Sequence, residues 1–154
     1  SVTSKMVKIK QLVDRWRKLS PGATAPNISL QDSDGKALYL KDLRGKFLYI
    51  YVWASSYGEM DKEVQAEWTK LVEEYKDKNI LFATFCMGPS QWLGQVKSLP
   101  GEHYVVNNTY AFYSRYMVTV MPRYMLIDPE GRIVDVDAPK PSSSAKLLLR
   151  SVGL

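Results

Sequence analysis

Apolar residues recur at two different spacings along this chain, and the switches between them mark out its elements. From Lys5 to Leu19, Met6, Ile9, Leu12, Val13, Trp16 and Leu19 fall at helical spacing with basic residues between them. Ser20-Pro21-Gly22 stops that helix. Ile28 to Gln31 and Ala37 to Leu40 read as two short strands joined by a turn at Asp34-Gly35, a β-hairpin. Phe47 to Ala54 is continuously apolar and rich in β-formers, as befits a central strand covered on both faces. Met60, Val64, Trp68, Leu71, Val72 and Tyr75 then form a helical stripe.

Ile80 to Cys86 reads as a second buried strand, followed by a short helix around Gln91 to Lys97 and a brief strand over Tyr104 to Val106. Asn107 or Asn108 can cap a helix running to about Tyr116. Arg123 to Ile127 and Arg132 to Val136 flank Asp128-Pro129-Glu130-Gly131, a hairpin signal. Ser142 to Ser144 can cap a closing helix bearing Leu147, Leu148 and Leu149. The order is helix, hairpin, β-α-β, helical connection, hairpin, helix. It predicts an α/β fold with helices on both faces of one mixed sheet. Residues 1–19 read as a helix and linker, and 20–154 as the domain proper.

Composition narrows this picture. With 154 residues, 45% of them hydrophobic, the chain suits one core. No apolar run reaches the roughly 18 residues of a membrane span, and Lys5, Lys8 and Lys10 interrupt the only stretch that could resemble a signal peptide. The net charge of +5 has its densest basic cluster on the N-terminal helix. There a solvated face is the preferred reading over a nucleic-acid patch. A single cysteine, Cys86, excludes any internal disulfide. His103 is the only histidine and has no partner cysteine, so neither a metal nor another cofactor is expected.

Three segments resemble thioredoxin-like proteins of the TlpA/ResA branch, which are exported or membrane-tethered thiol–disulfide oxidoreductases. Pro21-Gly22-Ala23-Thr24-Ala25-Pro26, with Asp34-Gly35 and Leu43-Arg44-Gly45-Lys46, is similar to the family's opening. Val52-Trp53-Ala54-Ser55-Ser56-Tyr57-Gly58-Glu59-Met60 stands where the family carries its CxxC motif. Val118 to Asp128, followed by Gly131 and Ile133, resembles the segment around the family's cis-proline, here Pro122. The resemblance covers residues 20 to about 137. It implies a thioredoxin-like fold, an AhpC/TSA-like scaffold, a part in cell redox homeostasis, and a periplasmic or cell-envelope location.

The departures fall on the chemistry. Tyr57 occupies the position of the nucleophilic cysteine and Met60 that of the resolving one. A dithiol exchanger needs a thiolate at a helix N-terminus and a second thiol to release the mixed disulfide. A phenol and a thioether supply neither. Ser56 and Glu59 match the S-x-x-E capping box, which is the expected use of both. Glu63 falls where the branch often carries a functional glutamate, and without a thiol to tune it reads as a surface acid.

If the resemblance at Pro122 holds, Trp53, Ser56, Tyr57, Gly58, Met121, Pro122 and Tyr124 form a surface for an extended peptide by strand-like pairing. Simple packing of Met121 and Tyr124 explains those two residues equally well. Cys86, at the end of an apolar run, reads as a buried small hydrophobe.

Three functions follow. The first is a redox-inactive, exported thioredoxin-like domain that binds a protein or extended peptide at the degenerate motif. The second is an oxidoreductase working through Cys86 in a one-cysteine mode. The third is a structural module of a larger exported protein, onto whose missing domain the N-terminal helix would dock.

Overall fold

The computed structural model describes residues 1–154. Seven strands form one sheet: β1 (Ser29–Asp32), β2 (Ala37–Tyr39), β3 (Phe47–Trp53), β4 (Ile80–Cys86), β5 (Glu102–Val106), β6 (Arg123–Ile127) and β7 (Ile133–Asp135). Four α-helices accompany them: α1 (Val2–Arg17), α2 (Lys62–Glu74), α3 (Thr109–Arg115) and α4 (Ser143–Ser151). The spatial order is β2-β1-β5-β4-β3-β6-β7. β3 pairs parallel with β4 and β4 with β5, while every other neighbouring pair is antiparallel. The chain is thioredoxin-like in architecture, with an N-terminal hairpin and an added N-terminal helix.

Alternation along β3 explains why both faces of the sheet are covered. Leu48, Ile50 and Val52 face one layer with Phe85, Met125 and Ile127, against Phe112 and Tyr116 of the α3 region. Tyr49, Tyr51 and Trp53 face the other with Phe82, Cys86, Tyr124 and Leu126, against α2 and α4. Aromatic stacking organises this second layer. Tyr51 and Tyr124, directly opposite in the β3–β6 register, stack at 5.2 Å, and Tyr49 stacks on Tyr124 at 5.9 Å. Trp68 of α2 meets Tyr49 at 5.9 Å and Phe82 edge-on at 5.8 Å.

Strand ends match the sequence reading closely, whereas two helical readings need correction. The segment around Gln91 to Lys97 is a run of 3₁₀ turns over Ser90–Gln95, containing Gly94. The S-x-x-E box at Ser56 and Glu59 does not form. The N-cap of α2 is Asp61, whose carboxylate accepts from the Glu63 N–H at 2.8 Å. The helix is thus capped one turn later, because Asp is as good an N-cap as Ser and Asp61 directly precedes the unbroken helical run.

His103 serves structure. Its Nε2–H donates to the Leu99 carbonyl at 3.0 Å, and its Nδ1 shares a 2.7 Å hydrogen bond with the buried Thr84 hydroxyl. Asn108 caps α3 by accepting from the Ala111 N–H at 3.0 Å, and Ser142 caps α4 through the Ala145 N–H.

One buried cation fixes the segment that leads into β6. The Arg123 guanidinium donates to the Tyr116 and Met117 carbonyls at 3.1 Å each and to the Val136 carbonyl at 3.3 Å. The Tyr116 and Met117 carbonyls close α3 and its left-handed turn, so the arginine supplies donors that the helix end lacks, and through Val136 it ties that turn to the end of β7. Its charge is answered by Asp137 at 3.8 Å, and burial holds its pKa below the usual arginine value. Arg123→Met should therefore cost about 3 kcal/mol, because three carbonyls lose a charged donor. Urea denaturation followed by circular dichroism measures it.

Candidate functional site

β3 ends at Trp53 and delivers the chain to the surface. Ala54 is buried, Ser55–Tyr57 make one 3₁₀ turn, and Gly58 adopts φ +84°, a left-handed conformation that glycine takes without strain. Glu59 is exposed and Met60 turns back into the core before α2 begins. Two side chains hold the segment. Gln95 donates to the Ser55 hydroxyl at 2.8 Å, and Gln65 donates to the Met60 carbonyl at 2.6 Å. Opposite lies the Met121–Pro122 peptide bond, which is cis.

Between these two segments sits a cleft of about 280 Å³. Trp53, Tyr57, Gly58, Met121, Pro122 and Tyr124 all line it, and Ser56 does not. Within that group the burial divides sharply. Trp53, Met121 and Tyr124 form a floor that is 3%, 8% and 6% exposed, while Tyr57 stands 62% exposed on the rim and Pro122 is also exposed. Tyr51, Met60, Asp61 and Lys140 also line it, with Ala54, Glu59 and Val64. Met60 shares the floor's burial, so its thioether is packing. Glu63 lies outside the cleft, exposed in the first turn of α2.

The floor is apolar but carries hydrogen-bond donors. The Trp53 indole N–H is buried with no partner in the chain, and Trp53 borders both this cleft and a smaller one of about 130 Å³ beneath Gln65 and Gln95. A buried donor without an acceptor is costly, and packing shields this nitrogen from solvent although the ring borders both cavities. Burial pushes the Tyr51 phenol up to about 12 and raises that of Tyr124 further, with each other's proximity adding to the shift at Tyr124. Both hydroxyls stay protonated at neutral pH. They are donors and not nucleophiles.

Cys86 sits opposite Trp53 in the β3–β4 register and is wholly buried. Burial pushes its thiol up to about 11, against a smaller opposing hydrogen bond from the Gly88 backbone. A reactive cysteine needs the reverse environment, exposed and electropositive. No group of three or more His, Cys, Asp or Glu side chains is placed to hold a metal ion.

The family model described as Redoxin matches residues 20–148. The chain belongs to the redoxin family. The thiol–disulfide oxidoreductase ResA of Bacillus subtilis is 29% identical over 124 residues, spanning 77% of this chain and 67% of that protein. A proposed thiol–disulfide oxidoreductase of Bacteroides vulgatus superposes with a TM-score of 0.73 at 27% identity, covering 89% of this chain and 99% of that one. A thiol–disulfide oxidoreductase of Bacteroides fragilis gives 0.71 at 22% identity, covering 84% and 98%, a likeness that speaks to the fold alone. Together they make this a thioredoxin-like redoxin of the TlpA/ResA type in which one cysteine remains.

Tyr51 and Lys140 escaped the sequence reading. Tyr51 belongs to an unbroken apolar strand and carries no local mark of a site. Lys140 reaches the cleft from beyond β7, far along the chain from the CxxC position.

The thiol environment makes a specific expectation. A group whose native pKa is raised keeps its full stabilisation below the unfolded value and loses it as pH climbs to the folded value. For Cys86 that window runs from about 9 to about 11. Iodoacetamide labelling of the native chain near pH 8 should be at least about a hundredfold slower than in denaturant. Labelling kinetics by mass spectrometry check this.

Proposed function

We propose that this redoxin has lost dithiol exchange and uses the cleft beside Tyr57 to bind an extended peptide or protein segment, in an extracytoplasmic compartment. The observation that carries the reading is the split at the CxxC position. An exposed tyrosine holds the nucleophile's place, and the chain's one thiol is buried beside Trp53 in the core. Exchange requires a thiolate to attack a disulfide and a second thiol to resolve the product. Neither Tyr57 nor Met60 has a sulfur that can do so, and Cys86 is neither ionised nor reachable.

Binding needs less. An exposed aromatic rim, an apolar floor and a few unpaired donors are what a peptide site uses. Tyrosine is favoured at such places because it covers much area while losing little side-chain entropy. The segment before Pro122 runs beside the cleft, and Val120 there is exposed. An extended chain can pair with that backbone.

Two measurements test the proposal. In insulin reduction with dithiothreitol the chain should show background turnover only; robust catalysis would remove the redox-inactive half. For binding, the probe is a carboxymethylated, unfolded protein that offers extended chain without thiols. Tyr57→Ala should weaken its capture at least about tenfold, as expected where a tyrosine anchors an interface. Equal capture by both forms would remove the binding half.

A further inference from the structure

The N-terminal helix stands apart from everything above. None of its residues is buried, and its large apolar side chains range from 39% exposed at Trp16 to 74% at Val2. Packing on its own domain therefore does not account for the apolar stripe. At 100° per residue, Val2, Met6, Ile9, Leu12, Val13 and Trp16 fall in one sector of about 120°. Lys8 and Arg15 border that sector on one side, and Lys10 and Arg17 on the other. Lys5 falls within it, between Leu12 and Trp16. The opposite face carries Thr3, Ser4, Gln11 and Asp14, with Val7 the one apolar residue outside the sector.

The body holds the helix by its polar flank. Arg15 donates to the Ser114 carbonyl at 3.0 Å, and Leu19, just past the helix, is buried in the core. Arg15 lies about 120° round from the centre of the apolar sector. The sector thus faces away from the domain.

Charge decides what can cover it. Residues 1–18 contain six basic side chains and one acidic, a net +5 that equals the whole chain's net charge. Residues 19–154 are balanced, with fifteen of each sign. A neutral body carrying one cationic amphipathic helix matches the pattern of helices that lie in an anionic lipid interface. The placement of the cations agrees. Lysines are depleted from the cores of protein interfaces, and Lys5 between Leu12 and Trp16 would be buried in one. At a lipid surface its stem lies along the apolar sector while the ammonium reaches the headgroups. Trp16 suits the same boundary.

We infer that α1 is an in-plane membrane-surface helix that seats this redoxin on anionic lipid, with Met6, Ile9, Val13 and Trp16 inserted and the flanking lysines and arginines on the headgroups. It is distinct from a span, since no helix is long and apolar enough to cross a membrane.

The test is co-sedimentation of the full 154-residue chain with vesicles. The chain should pellet with equal parts phosphatidylcholine and phosphatidylglycerol, should stay in solution with phosphatidylcholine alone, and should be released by added salt. Val13→Glu and Gln11→Glu change the net charge equally but lie on opposite faces. Gln11→Glu should weaken binding by no more than about fivefold, the worth of one charge near an anionic surface. Val13→Glu should weaken it at least about tenfold beyond that, because the sector can no longer insert. Far-ultraviolet circular dichroism checks that both variants fold alike.

Failure to pellet with anionic vesicles would overturn the inference, and so would equal binding to neutral ones or equal effects of the two variants. A concentration-dependent dimer in sedimentation equilibrium that Val13→Glu abolishes would overturn it in favour of a second copy of the chain.

Discussion

The structure depends on one strand that must be dry on both sides. β3 offers seven consecutive residues of which only Phe47 is not fully buried, and no sheet-edge position can hide such a run. It therefore takes the centre, parallel to β4 and antiparallel to β6, with a helical layer on each face. Its alternation sends aliphatic side chains into one layer and aromatic ones into the other. The stacked Tyr49, Tyr51 and Tyr124 belong to the second, as does Trp68 of α2. Where β3 emerges from this packing, the chain has nowhere to go but the cleft between Ser55–Met60 and Met121–Pro122. The site's position is a consequence of the strand's burial.

The same burial separates sulfur from solvent. Cys86 is placed beside Trp53 by strand register, at the end of a strand whose side chains lie in the core, and a thiol there behaves as a small apolar group. At the CxxC position the sequence has moved in the opposite direction, toward an exposed phenol and a buried thioether. The start of α2 has moved as well. With Asp61 as N-cap, the helix's free N–H groups and its positive end lie beyond Met60, out of line with Tyr57. The helix-end field that acidifies a nucleophilic thiol therefore lies beyond the CxxC position in this chain.

Much of this was legible from pattern alone. β3 and β4 were read within a residue because continuous runs of β-formers bounded by polar turns admit few alternatives. Asp34-Gly35 marked its hairpin through the left-handed backbone of Gly35, and Asp128 to Gly131 marked theirs through a side chain that closes the turn, Asp128 accepting from the Glu130 and Arg132 N–H groups. Ser56 and Glu59 misled because the capping-box spacing occurred one turn before a better N-cap, and spacing cannot rank two adjacent starts. The cleft was half legible. Trp53, Tyr57 and Pro122 stood out through their positions in the family pattern. Tyr51 and Lys140 join them only through the fold, as does the unpaired Trp53 N–H. The isolation of α1 was not legible either, since a helical stripe looks the same whether it packs on its own domain or not.

The claim at the centre of this account is that the redoxin scaffold survives here without a usable thiol. Its most direct test is the intact mass of the native chain after prolonged incubation with excess oxidised glutathione near neutral pH. The account predicts an unmodified mass until the chain is unfolded, after which Cys86 forms the mixed disulfide. A glutathione adduct on the folded protein would contradict it.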